Sequence, residues 1–347
     1  MGTKKFDILQ VWQKWRVAIV AALAFVVLLM IGFFTFNLSL FNPVKDTLKT
    51  YSMTDYFWQI QQAADDYEHS CLITLVDMTE LTERSDIAMA LEAIEFCEPK
   101  VIGVDMVFPG LKEDTVGDNM IRDVAATYPN IVWSLKFGDK NAYDDETGCP
   151  SPIRSFFAEE TRCKEAVTEM QCVSVYNRMK RKLVKGWKVQ GKLLPSFIGQ
   201  VVNDYAEKEI VPTEDSEAEI SFRPVRFDVV SCDSILQYRD LLTGRIVLFG
   251  AMHEDTDMHQ TPLGTIAGLE LLAYGVNTMV QANQVKRVDG VLFWGISFLI
   301  VMLTFWGRSL RKAWVDKQKN IGKRLFFSFP IISSFISFAW VALLMYL

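Results

Sequence analysis

Two short apolar runs in this chain end in a carboxylate. Residues 72–76 are followed by Asp77, and Val101–Val104 by Asp105. A third run, residues 245–250, leads into a charged loop, residues 252–260, that carries His253, Asp257 and His259. Ligands of parallel α/β sheets bind in the crevice outside the strand C-termini. Asp77, Asp105, His253, Asp257 and His259 are therefore the candidate ligand-binding set, carboxylates with an imidazole nearby. Hard cations take several oxygens, and a transition metal accepts imidazole. The alternative role for the same acids is local: strand-end Asp bonds loop amides and caps the next helix.

The spacing offers nothing more specific. His253 and His259 match no standard metal pattern, and HExxH and CxxC are absent, so no metal site is assigned. There is no GxSxG elbow, no GxGxxG and no GxxxxGK[ST], so no catalytic residue is assigned and the cofactor is left open. The third histidine, His69, precedes a strand and reads as a surface or edge residue.

The elements that must hold these residues follow from periodicity. Residues 72–76 and Val101–Val104 read as strands, with a helix over 86–96 between them that Pro99 stops. This is a parallel βαβ unit, whose strands are buried on both faces and so appear as unbroken apolar runs. A helix over 121–127 and a strand over 131–135 come next. Residues 138–192 are irregular, hold three cysteines, and read as loops or an insertion that a disulfide could tie. A helix over 196–206, a strand over 219–223, a short helix over 231–239, a strand over 245–250 and a helix over Gly268–Val280 complete the domain. Gly250, Thr261, Pro262, Gly268 and Glu270 are expected in structural or linking roles, Glu270 as favourable charge at a helix N-terminus.

Three blocks are apolar enough to span a bilayer, which takes about 20 residues of helix. They predict transmembrane helices at 17–36, a signal anchor, and at 288–307 and 325–347. Basic residues flank them at 1–16 and at 308–324, which places both segments in the cytoplasm. The same basic stretch at 308–324 could also dock anionic lipid or a partner. Residues 43–287 then lie outside the cytoplasm with a net charge of −14, which argues against nucleic acid as a partner. All six cysteines, Cys71, Cys97, Cys149, Cys163, Cys172 and Cys232, fall in that stretch. Disulfides and free thiols both remain open for them.

The run Pro99 to Phe108 (PKVIGVDMVF), the run Leu242 to Ala251 (LTGRIVLFGA), Asp257 with Thr261-Pro262-Leu263, and Gly268-Leu269-Glu270 follow one another in an order and spacing that resemble the type-two CHASE domain. That family is the extracellular sensory domain associated with bacterial cyclases and histidine kinases. The resemblance covers most of 70–285. It implies a bacterial inner-membrane protein whose α/β domain, with a mainly parallel sheet and flanking helices, stands outside the cytoplasm beside three transmembrane helices. The family tends to have a histidine and an asparagine shortly after Gly268-Leu269-Glu270. Here Leu272 and Tyr274 take those places.

Three functions are expected from this reading. The first is a membrane-anchored sensory module that binds an extracytoplasmic ligand. It signals through a membrane or cytoplasmic partner, because the cytoplasmic segments are too short for an output domain. The second is a membrane scaffold that keeps the fold without sensing. The third is an ecto-hydrolase using the strand-end acids with His253 or His259.

Overall fold

The computed structural model describes residues 53–113, 115–138, 151–170, 178–189, 191–253, 257–285 and 290–317, with scattered residues between 15 and 30. The chain divides into two compact units, one of Pro43–Lys286 and one of Met1–Asn42 with Arg287–Leu347.

The larger unit opens with helix α1 (Met53–Ala63) and strand β1 (Glu68–Asp77). Next come α2 (Arg84–Phe96), β2 (Val101–Val104), α3 (Thr115–Thr127), β3 (Ile131–Phe137), β4 (Pro152–Ile153), α4 (Ala158–Thr161) and β5 (Lys164–Val167). Short strands β6 (Lys182–Val184), β7 (Gly186–Val189) and β8 (Lys192–Pro195) precede helix α5 (Phe197–Ala206). The unit closes with β9 (Glu217–Glu219), β10 (Val225–Ser231), a 3-10 segment (Cys232–Leu241), β11 (Ile246–Gly250), the hairpin β12 (Met258–Thr261) and β13 (Gly264–Ala267), and helix α6 (Gly268–Val280).

One seven-stranded sheet runs β10-β1-β11-β2-β3, with both β4 and β5 on β3. Every pair is parallel except β3 with β4. Strands β2 and β11 are buried at every position, as unbroken apolar runs require when helices cover both faces. The strand period sorts their side chains. Ile73, Leu75, Val101, Val132, Ile246 and Leu248 pack with Phe197, Val201 and Leu269 of α5 and α6. Val76, Ile102, Val104, Trp133, Val247 and Phe249 pack with Ile87, Leu91, Ile121 and Val124 of α2 and α3. Gly103 is the residue that lets α5 approach: a Cβ there would lie 2.7 Å from Phe197 Cζ and 2.9 Å from Leu248 Cδ2.

Helix α5 starts at Ser196, whose Oγ accepts from Gly199 N at 3.1 Å, a standard N-cap. Helix α6 is buried on nearly every side. Its Tyr274 is pinned to the edge strand, with Val225 N donating to the Tyr274 hydroxyl at 3.3 Å and the hydroxyl donating to Val225 O at 3.3 Å. Helix α1 is held by Trp58 and by a buried bidentate pair, in which Arg181 Nη1 and Nη2 meet the Asp55 carboxylate at 2.9 and 3.0 Å.

The α/β class with a mainly parallel sheet matches expectation, and four differences have physical causes. The strand expected over 219–223 is instead β9 followed by coil, and the sheet strand is β10. Its Arg226 and Asp228 break the apolar run because β10 is an edge. The irregular middle contributes β5 to the sheet. The charged loop turns into the hairpin β12–β13, bent at Gly264 with φ of 108°. Cys71, Cys97, Cys163 and Cys232 are free thiols, so no disulfide through Cys163 ties the middle segment. Cys149 and Cys172 lie outside the described residues.

In the other unit, helix α7 (Gly290–Asp316) takes in residues 290–307 of the span expected at 288–307. The span at 325–347 lies outside the described residues, as does most of that at 17–36. Among the described residues no helix is long and apolar enough to cross a membrane.

Removing one member of a buried pair strands a charge and costs about 3–5 kcal/mol. Asp55→Ala should lower the unfolding free energy by that order in chemical denaturation. The double replacement Asp55→Leu with Arg181→Met should cost far less, since neither charge is left behind.

Candidate functional site

The parallel strands β1, β11, β2, β3 and β5 all deliver their C-terminal ends to one side. A cavity of about 170 Å³ lies there, between the ends of β2, β3 and β5, the β12 segment and the start of α6. For scale, a cavity of about 150 Å³ accommodates a benzene-sized molecule. Asp105, Lys136, Thr168, Glu169, Lys180, Asp257 and His259 supply its polar lining, and Met170, Gly268, Leu271 and Leu272 the remainder.

Asp105 follows β2, where its backbone N donates to Phe249 O at 2.9 Å. Its side chain is only 8 % exposed. Oδ1 lies 3.4 Å from Lys136 Nζ and 3.3 Å from Ser134 Oγ, whose hydroxyl sits closer still, 2.7 Å, to Val104 O. Ser134 and Lys136 are two apart on β3 and so share a face. Burial pushes the Asp105 carboxyl above its usual range; Lys136 opposes that and Asp257 adds to it. Burial lowers the Lys136 ammonium, but Asp105 and Asp257 outweigh it and hold Lys136 above its ordinary value.

Asp257 sits over the first residue of α6. A Cβ at Gly268 would fall 2.7 Å from Asp257 Cγ and 2.8 Å from Oδ1, so only glycine admits the carboxylate there. A negative group at a helix N-terminus is favourable. His259 Nε2 lies 3.3 Å from Asp257 Oδ1. Gly250 leaves room in the same way: a Cβ would meet Leu269 Cδ1 at 2.9 Å and Asp105 Cβ at 3.3 Å. Glu270 occupies the first turn of α6, with its carboxyl raised by burial. Thr261 Oγ1 donates to Gly264 O at 2.8 Å and accepts from Leu263 N at 3.3 Å, closing the β12–β13 turn around the buried Pro262.

The candidate set therefore divides. Asp105, Asp257 and His259 come together at the cavity. Asp77 and His253 do not line it. Asp77 Oδ1 accepts from Thr79 N at 3.0 Å and Met252 N at 3.1 Å, and Oδ2 lies 3.5 Å from His253 Nε2. That is the loop-amide role open to a strand-end acid, and His253 is 77 % exposed beside it. Among the described residues no group of three or more His, Cys, Asp and Glu is placed to hold a metal. The cavity instead mixes Asp105, Glu169 and Asp257 with Lys136 and Lys180 in its lining, and Lys180 Nζ donates to the Met170 carbonyl oxygen.

Lys136, Thr168, Glu169 and Lys180 were not legible as site residues. The signal that could have found Lys136 is a polar pair, Ser134 and Lys136, at the end of an apolar strand. The other three lie in the irregular segment, whose contribution to the sheet has no apolar run. Leu272, where the resembling family tends to have histidine, lines the cavity and is 4 % exposed; Tyr274 serves the β10 contact.

A family model for the CHASE2 domain matches residues 19–311. No curated protein and no solved structure matches the chain.

Loss of Lys136 should leave Asp105 without its cation. Protonation then becomes the cheaper state of the folded protein, so stability must fall as pH rises through the raised Asp105 range. Lys136→Met is expected to lower the melting temperature more at pH 8 than at pH 5. Adding Asp105→Asn should recover most of that loss, which thermal melts of the two variants at both pH values would check.

Proposed function

The chain belongs to the CHASE2 domain family, and on that premise we propose that it is a sensory module whose ligand enters the cavity at the strand C-termini. One observation carries the reading: a cavity of about 170 Å³ at the ligand-binding end of a parallel sheet, with the buried Asp105 and its half-exposed partner Lys136 in its wall. A ligand small enough to fit meets the carboxylates of Asp105, Glu169 and Asp257 and the ammoniums of Lys136 and Lys180, beside the apolar Leu271 and Leu272.

A ligand shifts an equilibrium only by its differential affinity for two states. Helix α6 borders the cavity with its first turn, and the chain beyond its end runs on into the apolar block at 288–307. It is the element through which occupancy is passed on. The apolar blocks at 17–36, 288–307 and 325–347 and the basic segments at 1–16 and 308–324 support a membrane anchor, with the acidic stretch 43–287 outside the cytoplasm. Output then passes to a partner protein in the membrane or the cytoplasm. A scaffold without sensing is the second reading, favoured by Leu272, which makes apolar a wall position that is polar in the resembling family.

The test is the thermal melt of the full-length protein with amino acids, diamines, dicarboxylates and divalent cations, each at millimolar concentration. A compound bound by the folded form alone raises the melting temperature by mass action, about 2.7 kcal/mol at a hundred times Kd. The sensory reading expects a rise with one class that Asp257→Asn or Asp105→Asn abolishes. No rise with any class, in a protein whose cavity variants melt normally, favours the scaffold.

A further inference from the structure

A second constellation stands apart from the cavity, in the first half of β1. Cys71 is exposed, and its Sγ lies 3.8 Å from His69 Nδ1. His69 Nε2 lies 3.1 Å from Asp228 Oδ1 on the neighbouring strand β10. Asp228 Oδ2 is fixed in turn by Arg245 Nη1 at 2.7 Å. A nucleophile within reach of a base, and the base oriented by a third group, is the arrangement that activates thiols and hydroxyls.

The backbone builds this arrangement. His69 pairs with Arg226 and Thr74 with Asp228, so β1 sets residues 70–73 against Phe227 alone. Such bulges re-aim side chains and recur beside functional sites. Cys71 and the imidazole two residues before it share one face of β1, which sets Sγ beside Nδ1. Asp228 can only accept, so Nε2 carries the imidazole proton and Nδ1 presents its lone pair towards Sγ. The imidazole is 55 % exposed, which leaves the thiol open to a reagent from solution.

The other described thiols differ. Burial pushes the Cys97 and Cys163 thiols up. Cys232 is pushed up to about 12, by burial first and by Asp77 and Asp233 beside it.

We propose that Cys71, His69 and Asp228 form a nucleophilic thiol site that exchanges with low-molecular-weight disulfides. His69 Nδ1 takes the Sγ–H proton, and the Cys71 thiolate attacks one sulfur of the disulfide. The Sγ–S bond forms as the S–S bond breaks, and the departing thiolate takes the proton back from the imidazolium. Cys71 ends oxidised as a mixed disulfide, and the second half of the reagent leaves reduced as a free thiol.

The probe is oxidised glutathione added to the full-length protein, with adduct formation on the Cys71 peptide followed by mass spectrometry. A free thiol is only a few per cent ionised near pH 7, so a working base raises the rate by about tenfold there. That advantage fades near pH 9.5, where thiols ionise unaided. His69→Gln should therefore slow the reaction about tenfold at pH 7 and change it by no more than about twofold at pH 9.5. Asp228→Asn should give a smaller loss in the same direction, with unchanged melting temperatures confirming the fold. Equal rates for wild type and His69→Gln at pH 7, or no adduct on Cys71, would overturn the proposal.

Discussion

The central strands of this sheet are covered by helices on both faces, and everything charged must therefore stand at their ends. β2 and β11 have no exposed position, and an unpaired polar group between those layers costs several kcal/mol. At β2 and β1 the chain solves this by switching from apolar to polar within one residue of the strand terminus: Val104 to Asp105, Val76 to Asp77. Because the strands are parallel, those switches fall on one side of the sheet. The concentration of ionisable groups around the cavity follows from burial and direction together.

The same constraint sets how the groups behave. Asp105 is nearly enclosed, so its charge depends on Lys136, and Lys136 in turn draws on Asp257 as well. Changing Lys136 or Asp257 alone would therefore shift the protonation of Asp105. Glycine at 250 and 268 belongs to the same problem. Both positions give up a side chain so that a carboxylate or its neighbour fits against α6.

Legibility in the sequence tracked burial on both faces. Val101–Val104 and Gly268–Val280 were readable to the residue because an unbroken apolar run and a helix buried on nearly every side leave one interpretation. β10 was not readable, since an edge strand with Arg226 and Asp228 has half the apolar signal. Of the site, Asp105, Asp257 and His259 were legible from their place after strands. Asp77 stands in the same sequence context, yet its carboxylate is taken up by Thr79 and Met252 amides. Sequence position fixes which end of the strand an acid occupies, but only the fold of the following loop decides whether it is spent on backbone. Lys136, Glu169 and Lys180 depend on how an irregular segment packs, and no periodicity encodes that.

The Asp55–Arg181 pair has a mechanical consequence. Two parallel N–H···O contacts tie α1 to the residue just before β6. Tension applied to the chain upstream of Met53 would load this clamp and the β6–β9 ribbon before it reached β1. The clamp acts as a strain relief for the first sheet strand. Trp58 of α1, Leu183 of β6 and the buried face of α6 share one hydrophobic core, so a load on the clamp would also be felt by that helix.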